Sequence, residues 1–256
     1  MSILKNIPGV EPFFYKRGKV GCLLCHGFTG VPHEVHELGS YLSEKGITTI
    51  GPRLPGHGTT LKDMQKTSAK DWYSEYLKAY SILQKHCQEI FIGGLSLGGL
   101  LTLKCATEKP VKGVISLATP LKVKFPTMTV LPLIAPLLQN ASVKKSKRDL
   151  EYQQKYGIIC YDRDPIGPAK FVVKLIKEMR SRLKEITAPI LIIQGLKDSN
   201  WIIKSAKILM ENVSSQEREL VFLEQSPHCF TIGPEKEKVN EIVYEFIRKK
   251  SDILEK

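Results

Sequence analysis

The stretch that decides the fold is FIGGLSLGGL, residues Phe91–Leu100. At its centre, Ser96 lies in the pattern Gly94-Leu-Ser-Leu-Gly98. The apolar run Ile90–Ile92 predicts a buried strand before this pattern, and Gly98–Ala106 predicts a helix after it. A G-x-S-x-G pattern between a strand and a helix is typical of a nucleophile elbow, a tight turn that exposes a serine hydroxyl.

The chemistry of such a turn explains its glycines. A serine on so tight a turn has a strained backbone, and side chains two residues to either side would obstruct the chain. The turn holds the hydroxyl at the carboxyl end of a strand, beside a helix N-terminus whose amides face developing negative charge. The alternative is a glycine-rich turn that lets a helix pack closely on a sheet. The flanking strand and helix favour the nucleophile.

Composition and charge indicate one globular domain with no nucleic-acid partner. The chain has 256 residues, of which 42% are hydrophobic and 25% charged, enough for one substantial core and an insertion. The net charge of +12 is compatible with an anionic partner. However, the sequence holds no zinc-ligand quartet and no basic stripe with interleaved aromatic residues. The lysines are scattered apart from the cluster Lys144–Arg148, so we interpret them as solvated surface.

Cysteine usage and segment lengths favour a cytoplasmic protein. The 6 cysteines lie mostly inside apolar runs, without the spacing of a disulfide framework. Cys22 and Cys25 should point to opposite faces of one strand, and both are expected in the core. No apolar run has the length of a signal peptide or a transmembrane helix, so we expect no stable membrane insertion. A reducing cytoplasm agrees with these observations.

Short apolar runs alternate with segments of helical spacing along most of the chain. The predicted strands are Phe13–Tyr15, Val20–Cys25, Ile47–Ile50, Ile90–Ile92, Val111–Leu117, Pro189–Gln194 and Leu220–Leu223. The predicted helices are Val35–Lys45, which Gly46 ends, and the segments marked by Trp72–Leu83, Gly98–Ala106, Ile202–Leu209 and Val239–Ile247. This alternation predicts an α/β fold, with a mostly parallel central sheet and helices on both faces.

One interval, Pro120–Ala188, is much longer than a crossover between strands requires. We therefore predict a small cap inserted at residues 120–187, with the core formed by residues 1–119 and 188–256. The last part of the insertion, Phe171–Ile186, has the pattern of a basic amphipathic helix.

The first part of the cap, Met128–Leu138, is too apolar for a solvated loop, and its two prolines exclude one continuous helix. We predict that some of these side chains line an acyl pocket above Ser96, because ester pockets are apolar with a few polar groups. The substrate-binding candidates are Met128, Leu131 and Ile134. The alternative is a small core within the cap itself.

A serine nucleophile needs a base, and the base needs an acid to orient it. His228 follows the last predicted strand, so it returns to the carboxyl edge of the sheet. Asp198 directly follows the strand Pro189–Gln194 and is the predicted acid, although a turn aspartate is the alternative. Asp162 and Asp164 lie in the insertion and are less well placed.

The remaining candidates concern the oxyanion hole and the other histidines. The backbone amides of Leu97, after the nucleophile, and Phe28, in the loop after Val20–Cys25, are the predicted oxyanion donors. His26 and His57 precede glycines in early loops, where histidines usually fix loops through hydrogen bonds. His33 and His36 are spaced i, i+3 without a further ligand cluster, so we expect no metal site, and His86 is expected on the surface at a helix end.

Five motifs together carry a resemblance to a known family. They are HGFTG at 26–30, PGHG at 55–58, GLSLGG at 94–99, GLKD at 195–198 and SPH at 226–228. The chain resembles the bacterial carboxylesterase and monoacylglycerol lipase group of the α/β-hydrolase superfamily, least closely over residues 122–180. The resemblance implies a serine esterase with a small cap and no cofactor, acting on short-to-medium acyl esters or monoacylglycerols. We expect the chain to be a monomer or a homodimer.

Other functions use the same residues. A thioesterase, an acyltransferase or a carbon–carbon hydrolase would need the same triad, whereas a dehalogenase or epoxide hydrolase would have aspartate in place of Ser96. A non-catalytic ligand-binding protein of the same fold is the alternative from a different class. The complete set of serine, histidine and aspartate argues against it.

Overall fold

The central sheet explains how distant motifs meet. A computed structural model of the chain describes residues 8–123, 127–135 and 137–254, without the side chain of Met128. The strands are β1 (Phe13–Tyr15), β2 (Val20–Cys25), β3 (Thr48–Gly51), β4 (Glu89–Leu95), β5 (Gly113–Leu117), β6 (Ser142–Lys144), β7 (Arg163–Pro165), β8 (Ile190–Gly195) and β9 (Arg218–Leu223). Seven of them form one sheet in the order β1-β3-β2-β4-β5-β8-β9. Only β1 is antiparallel to its neighbour in this sheet, so the carboxyl ends of the other six strands share one edge.

Helices cover both faces of this sheet. They are α1 (His33–Glu44), α2 (Leu61–Gln65), α3 (Ala69–His86), α4 (Leu97–Ala106), α5 (Thr127–Ile134), α6 (Lys147–Tyr156), α7 (Ile166–Arg182), α8 (Asn200–Asn212) and α9 (Lys236–Lys250), with 3-10 turns at Leu183–Glu185 and Phe230–Ile232. Among the described residues, no helix has the length and apolar character needed to cross a membrane. The predicted α/β fold is confirmed.

The strand β2 shows why its residues form a strand covered on both sides. All six of its residues are buried. Cys25 packs with α3, α4 and α7 on one face, whereas Cys22 packs with α1 and α9 on the other. Both cysteines are free thiols, and their predicted positions in the core are confirmed.

The helix α3 also follows its predicted pattern. It begins with a capping box, in which Ser68 and Asp71 each bond the backbone N–H of the other. Its buried face carries the four large residues expected there: Trp72, Tyr76, Tyr80 and Leu83. Burying side chains of this size stabilises a fold by about 1.5–3 kcal/mol each, which anchors α3 to the sheet.

The insertion between β5 and β8 has more regular structure than its sequence suggested. A two-stranded antiparallel sheet, β6-β7, and the helix α6 lie in its middle, and neither was predicted. The helix α7 starts at Ile166, five residues before the predicted Phe171, and its Leu175 and Ile176 join the main core. The separation of a cap at residues 120–187 from the core stays a prediction.

Candidate active site

Ser96 lies at the predicted turn between β4 and α4. Its backbone has φ +54° and ψ −110°, a conformation that L-residues rarely adopt. A Cβ atom on Gly98 would lie 2.2 Å from the carbonyl oxygen of Cys25, and one on Gly94 would lie 2.3 Å from the carbonyl carbon of Gly98. Side chains at either glycine would therefore displace the backbone. The geometry is that of a nucleophile elbow.

The loops after β8 and β9 bring Asp198 and His228 together. Gly195 permits this contact, because a Cβ atom there would lie 2.2 Å from the carbonyl oxygen of Ser226. The backbone N–H of Lys197 also donates to that carbonyl, at 3.0 Å. At the end of these loops, Nδ1 of His228 lies 2.6 Å from Oδ2 of Asp198. The carboxylate bonded to His228 is thus Asp198, not the alternatives in the insertion.

Electrostatics favour an ionised acid beside a basic imidazole. Burial by itself lowers the pKa of His228, but the charge and hydrogen bond of Asp198 outweigh burial and raise that pKa above its ordinary 6.5. Burial raises the pKa of Asp198, but His228 and the hydrogen bonds from Ser199 and Gln194 lower it below its ordinary 3.8. Asp198 therefore stays a carboxylate and stabilises a protonated His228.

The Ser96 hydroxyl makes no hydrogen bond with His228 among the residues that the structure describes. Catalytic hydrogen bonds are often long in a free enzyme and shorten when the substrate binds. Two observations place the residues in one neighbourhood. A Cβ atom on Gly27 would lie 3.4 Å from Cβ of Ser96, and Glu34, bonded to Gly27, acts through its charge on the pKa of His228.

The loop after β2, residues 26–30, contains the predicted oxyanion donor Phe28; we call it the oxyanion loop. Within the described parts of the chain, the backbone N–H groups of Phe28 and Leu97 donate to no other group. The Phe28 ring is held by edge contacts with Trp72 and His57, at 5.8 Å and 6.3 Å between ring centroids. Both amides thus have unused donors beside the elbow, as an oxyanion hole requires.

His26 and His57 fix loops rather than act as bases. Nδ1 of His26 lies 2.9 Å from the carbonyl oxygen of Gly27, and its Nε2 accepts from the backbone N–H of Leu54 at 3.1 Å. Burial lowers the pKa of His26 to about 4, so its ring is neutral at neutral pH. The bonds join the oxyanion loop to the loop after β3. Burial likewise lowers the pKa of His57.

Glu34 is a site residue that the sequence analysis did not single out. It is 7% exposed, and its Oε2 accepts from the backbone N–H of Gly27 at 2.7 Å. Burial raises the pKa of its carboxyl to about 7, although this hydrogen bond and nearby positive charges oppose the change. The sequence contains a signal for this burial: residues four positions apart lie on one helix face, and Glu34 precedes Leu38 and Leu42 at that spacing, so it lies on the buried face of α1.

The candidates for the acyl pocket lie on or near α5. The helix α5 runs through Pro132 without a break and ends at Ile134, so it covers only part of the apolar stretch Met128–Leu138. Leu131 is half-buried, Ile134 is 39% exposed and Leu133 is 76% exposed, whereas the side chain of Met128 lies outside the described residues. Side chains with this much exposure do not form a small closed core within the cap. The predicted role of these residues in the acyl pocket stays a prediction.

Comparison with known proteins identifies the family. A family model described as serine aminopeptidase, S33, matches residues 17–235. The chain belongs to this hydrolase family. It is 30% identical to a carboxylesterase of Bacillus subtilis (strain 168), over 93% of this chain and 96% of that protein. It is 32% identical to a thermostable monoacylglycerol lipase of Bacillus sp. (strain H-257), over 95% and 96%.

Solved structures of hydrolases have the same fold. A structure from a study of the metagenome-derived lipolytic enzymes LipS and LipT superposes with a TM-score of 0.85 at 28% identity, covering 95% of this chain and 99% of that one. The monoacylglycerol lipase of Paleococcus ferrophilus superposes with a TM-score of 0.78 at 17% identity, covering 98% and 100%. The resemblance to the carboxylesterase and monoacylglycerol lipase group of α/β-hydrolases is confirmed.

Proposed function

We propose that this hydrolase is a serine carboxylesterase that cleaves short-to-medium acyl esters, with monoacylglycerols among its candidate substrates. The observation that carries the proposal is the 2.6 Å contact between His228 and Asp198 beside the strained turn of Ser96. Its closer relatives are named for ester hydrolysis, which agrees with this enzyme class. The fold alone would not support it, since one fold hosts many functions.

The mechanism follows from the roles of these groups. Nε2 of His228 takes the hydroxyl proton as Oγ of Ser96 attacks the ester carbonyl, and Asp198 stabilises the imidazolium that forms. The amides of Phe28 and Leu97 donate to the tetrahedral oxyanion, where one such donor contributes about 10²–10³ in kcat. Protonated His228 then donates its proton to the alcohol oxygen as the C–O bond of the ester breaks. The alcohol leaves, and an acyl ester remains on Ser96. Water activated by neutral His228 hydrolyses that acyl-enzyme.

A fluorophosphonate probe tests this proposal, because only an activated serine reacts with it. The wild-type protein should be labelled on Ser96, and Ser96→Ala should not be labelled. Ser81 offers a matched control, since it is an exposed serine on α3 and Ser81→Ala should keep full labelling. If the wild-type protein is not labelled, the hypothesis that remains is a non-catalytic ligand-binding protein.

A substrate panel then separates reactions that share the triad. Nitrophenyl esters and monoacylglycerols of graded chain length are expected to be hydrolysed best. Acyl thioesters, acyl transfer to glycerol and aminoacyl anilides test the alternatives, the last because the family description names an aminopeptidase. Leu131→Ala and Ile134→Ala should weaken the preference for longer chains, because each buried methylene contributes about 0.8 kcal/mol. Faster cleavage of an anilide or thioester would replace the ester assignment.

A further inference from the structure

Side chains from two other parts of the chain form hydrogen bonds with the oxyanion loop, one on each side of Phe28. On one side, the backbone N–H of Gly27 donates to Oε2 of Glu34 at 2.7 Å. On the other side, Nζ of Lys145 donates to Oγ1 of Thr29 at 2.8 Å. Lys145 comes from the insertion, directly after β6. A residue of the insertion thus contacts the neighbour of the predicted oxyanion donor.

The conformation of this loop depends on such contacts. Thr29 has φ +64°, and a β-branched residue rarely adopts that conformation without support from its surroundings. The carbonyl oxygen of Thr29 also accepts from the backbone N–H of Tyr161, at 3.2 Å. A Cβ atom on Gly30 would lie 2.2 Å from Oε1 of Glu34, so the loop packs directly on that carboxyl group. The strained residue is therefore bonded through both its side chain and its carbonyl group.

Lys145 differs from its neighbours in the basic cluster 144–148. Its side chain is 13% exposed, whereas that of Lys147 is 91% exposed. Nζ of Lys145 lies 3.8 Å from Oδ1 of Asp164 and 3.4 Å from Sγ of Cys160. The positive charge also acts on Glu34, whose pKa it lowers against the larger effect of burial. Burying the Lys145 ammonium costs desolvation free energy, and ordering its side chain costs conformational entropy. The contacts with its partners offset these costs only in one specific geometry.

We propose that Lys145 is a positioning residue for the ester hydrolysis proposed above, on which this inference rests. By holding Thr29, it fixes the direction of the Phe28 N–H toward the oxyanion. The insertion then does more than shape a pocket, because the oxyanion hole is complete only when β6 is docked against the oxyanion loop. A displacement of about 1 Å at such a donor can lower the rate about 100-fold.

The test compares Lys145→Met, which keeps an unbranched side chain as far as Cε and removes the Nζ donor, with Lys147→Met as a matched surface control. Fluorophosphonate titration counts the active sites in each preparation, so partial unfolding does not affect the kcat. Lys145→Met should lower kcat about 10–100-fold with KM changed less than about threefold, because oxyanion bonds strengthen in the transition state. Lys147→Met should leave both constants unchanged.

Two further measurements separate positioning from a general structural role. Affinity for a trifluoromethyl ketone, whose adduct with Ser96 puts an oxyanion in the hole, should fall by the same factor as kcat/KM. Lys145→Arg keeps a cationic donor and should restore most of the rate. In a Thr29→Ala background, adding Lys145→Met should lower kcat less than about threefold, because the hydrogen bond between Lys145 and Thr29 is already absent.

Several results would overturn the inference. A kcat of Lys145→Met within twofold of wild type would do so, as would a change in KM alone or an undiminished loss in the Thr29→Ala background. In those cases a labelled, active wild-type protein leaves the proposed function intact. A wild-type protein that is neither labelled nor active on esters removes the proposed function, and this inference with it.

Discussion

Replacing Glu34 by glutamine should stabilise the protein more at pH 8 than at pH 5. Burial raises the pKa of the folded carboxyl to about 7, against its ordinary 4.5 in an unfolded chain. Between these values the folded state holds a proton that the unfolded state has released. The contribution of Glu34 to stability is therefore complete below pH 4.5 and is lost as the pH rises through about 7.

The size of the effect follows from the two pKa values. A shift from 4.5 to about 7 corresponds to about 3 kcal/mol once the pH is well above both pKa values. Between pH 5 and pH 8 the change is about 2–3 kcal/mol, because a small part of the effect is already present at pH 5. Glutamine does not titrate. Any hydrogen bond that the amide makes or loses is independent of pH and cancels when the two pH values are compared.

Urea unfolding of both proteins at pH 5, 6, 7 and 8 measures this difference. The free energy of unfolding of Glu34→Gln minus that of wild type should rise by about 2–3 kcal/mol across the series. Glu44 provides the control, because it is exposed at the end of the same helix, and Glu44→Gln should show no trend. A Glu34→Gln difference that stays constant within about 0.5 kcal/mol, or falls with pH, would refute a carboxyl buried at a cost.

The triad and the elbow yield four further predictions. Ser96→Ala should abolish fluorophosphonate labelling and leave only the residual rate, about 10³–10⁴ over water, that binding and the oxyanion hole supply in serine proteases. Asp198→Asn should lower kcat by about 10⁴ because it permits the wrong imidazole tautomer, and a milder loss than in Asp162→Asn would move the acid to the insertion. The kcat/KM of wild type should fall with decreasing pH through a midpoint above 6.5, because Asp198 raises the pKa of His228 and the imidazole must be neutral to act as the base. A kcat/KM that stays constant down to about pH 5 would exclude histidine as the base. Gly98→Ala should destabilise the fold by about 1–3 kcal/mol in thermal or urea unfolding and abolish labelling, because its Cβ would lie 2.2 Å from the carbonyl oxygen of Cys25.

Much of the site was predictable because its residues belong to short local patterns on parallel strands. The elbow at Ser96 needs only a strand, a tight turn and a helix that follow one another in the chain. Asp198 and His228 each come soon after a strand that the apolar runs identify. Parallel strands end at one edge, so the order of these segments already predicted that their loops would meet.

The insertion was less predictable because its structure depends on what it packs against. The strands β6 and β7 have three residues each, too few for a periodic signal, and among the described residues they pair with each other alone. The helix α7 extended beyond its expected start because Gly167 and Pro168, which read as breakers in a sequence, occupy its first turn. Tertiary contacts decided these elements.

The sequence by itself determined the fold, the elbow and the three candidate catalytic side chains, since strand periodicity and glycine positions are local properties. Only the tertiary structure decided which charged groups are buried at the site. Glu34 and Lys145 look like ordinary members of an amphipathic helix and a basic cluster, but the fold places one on each side of Phe28. Their roles depend on a neighbour from a distant part of the chain, because burial and charge pairing are properties of the packed molecule.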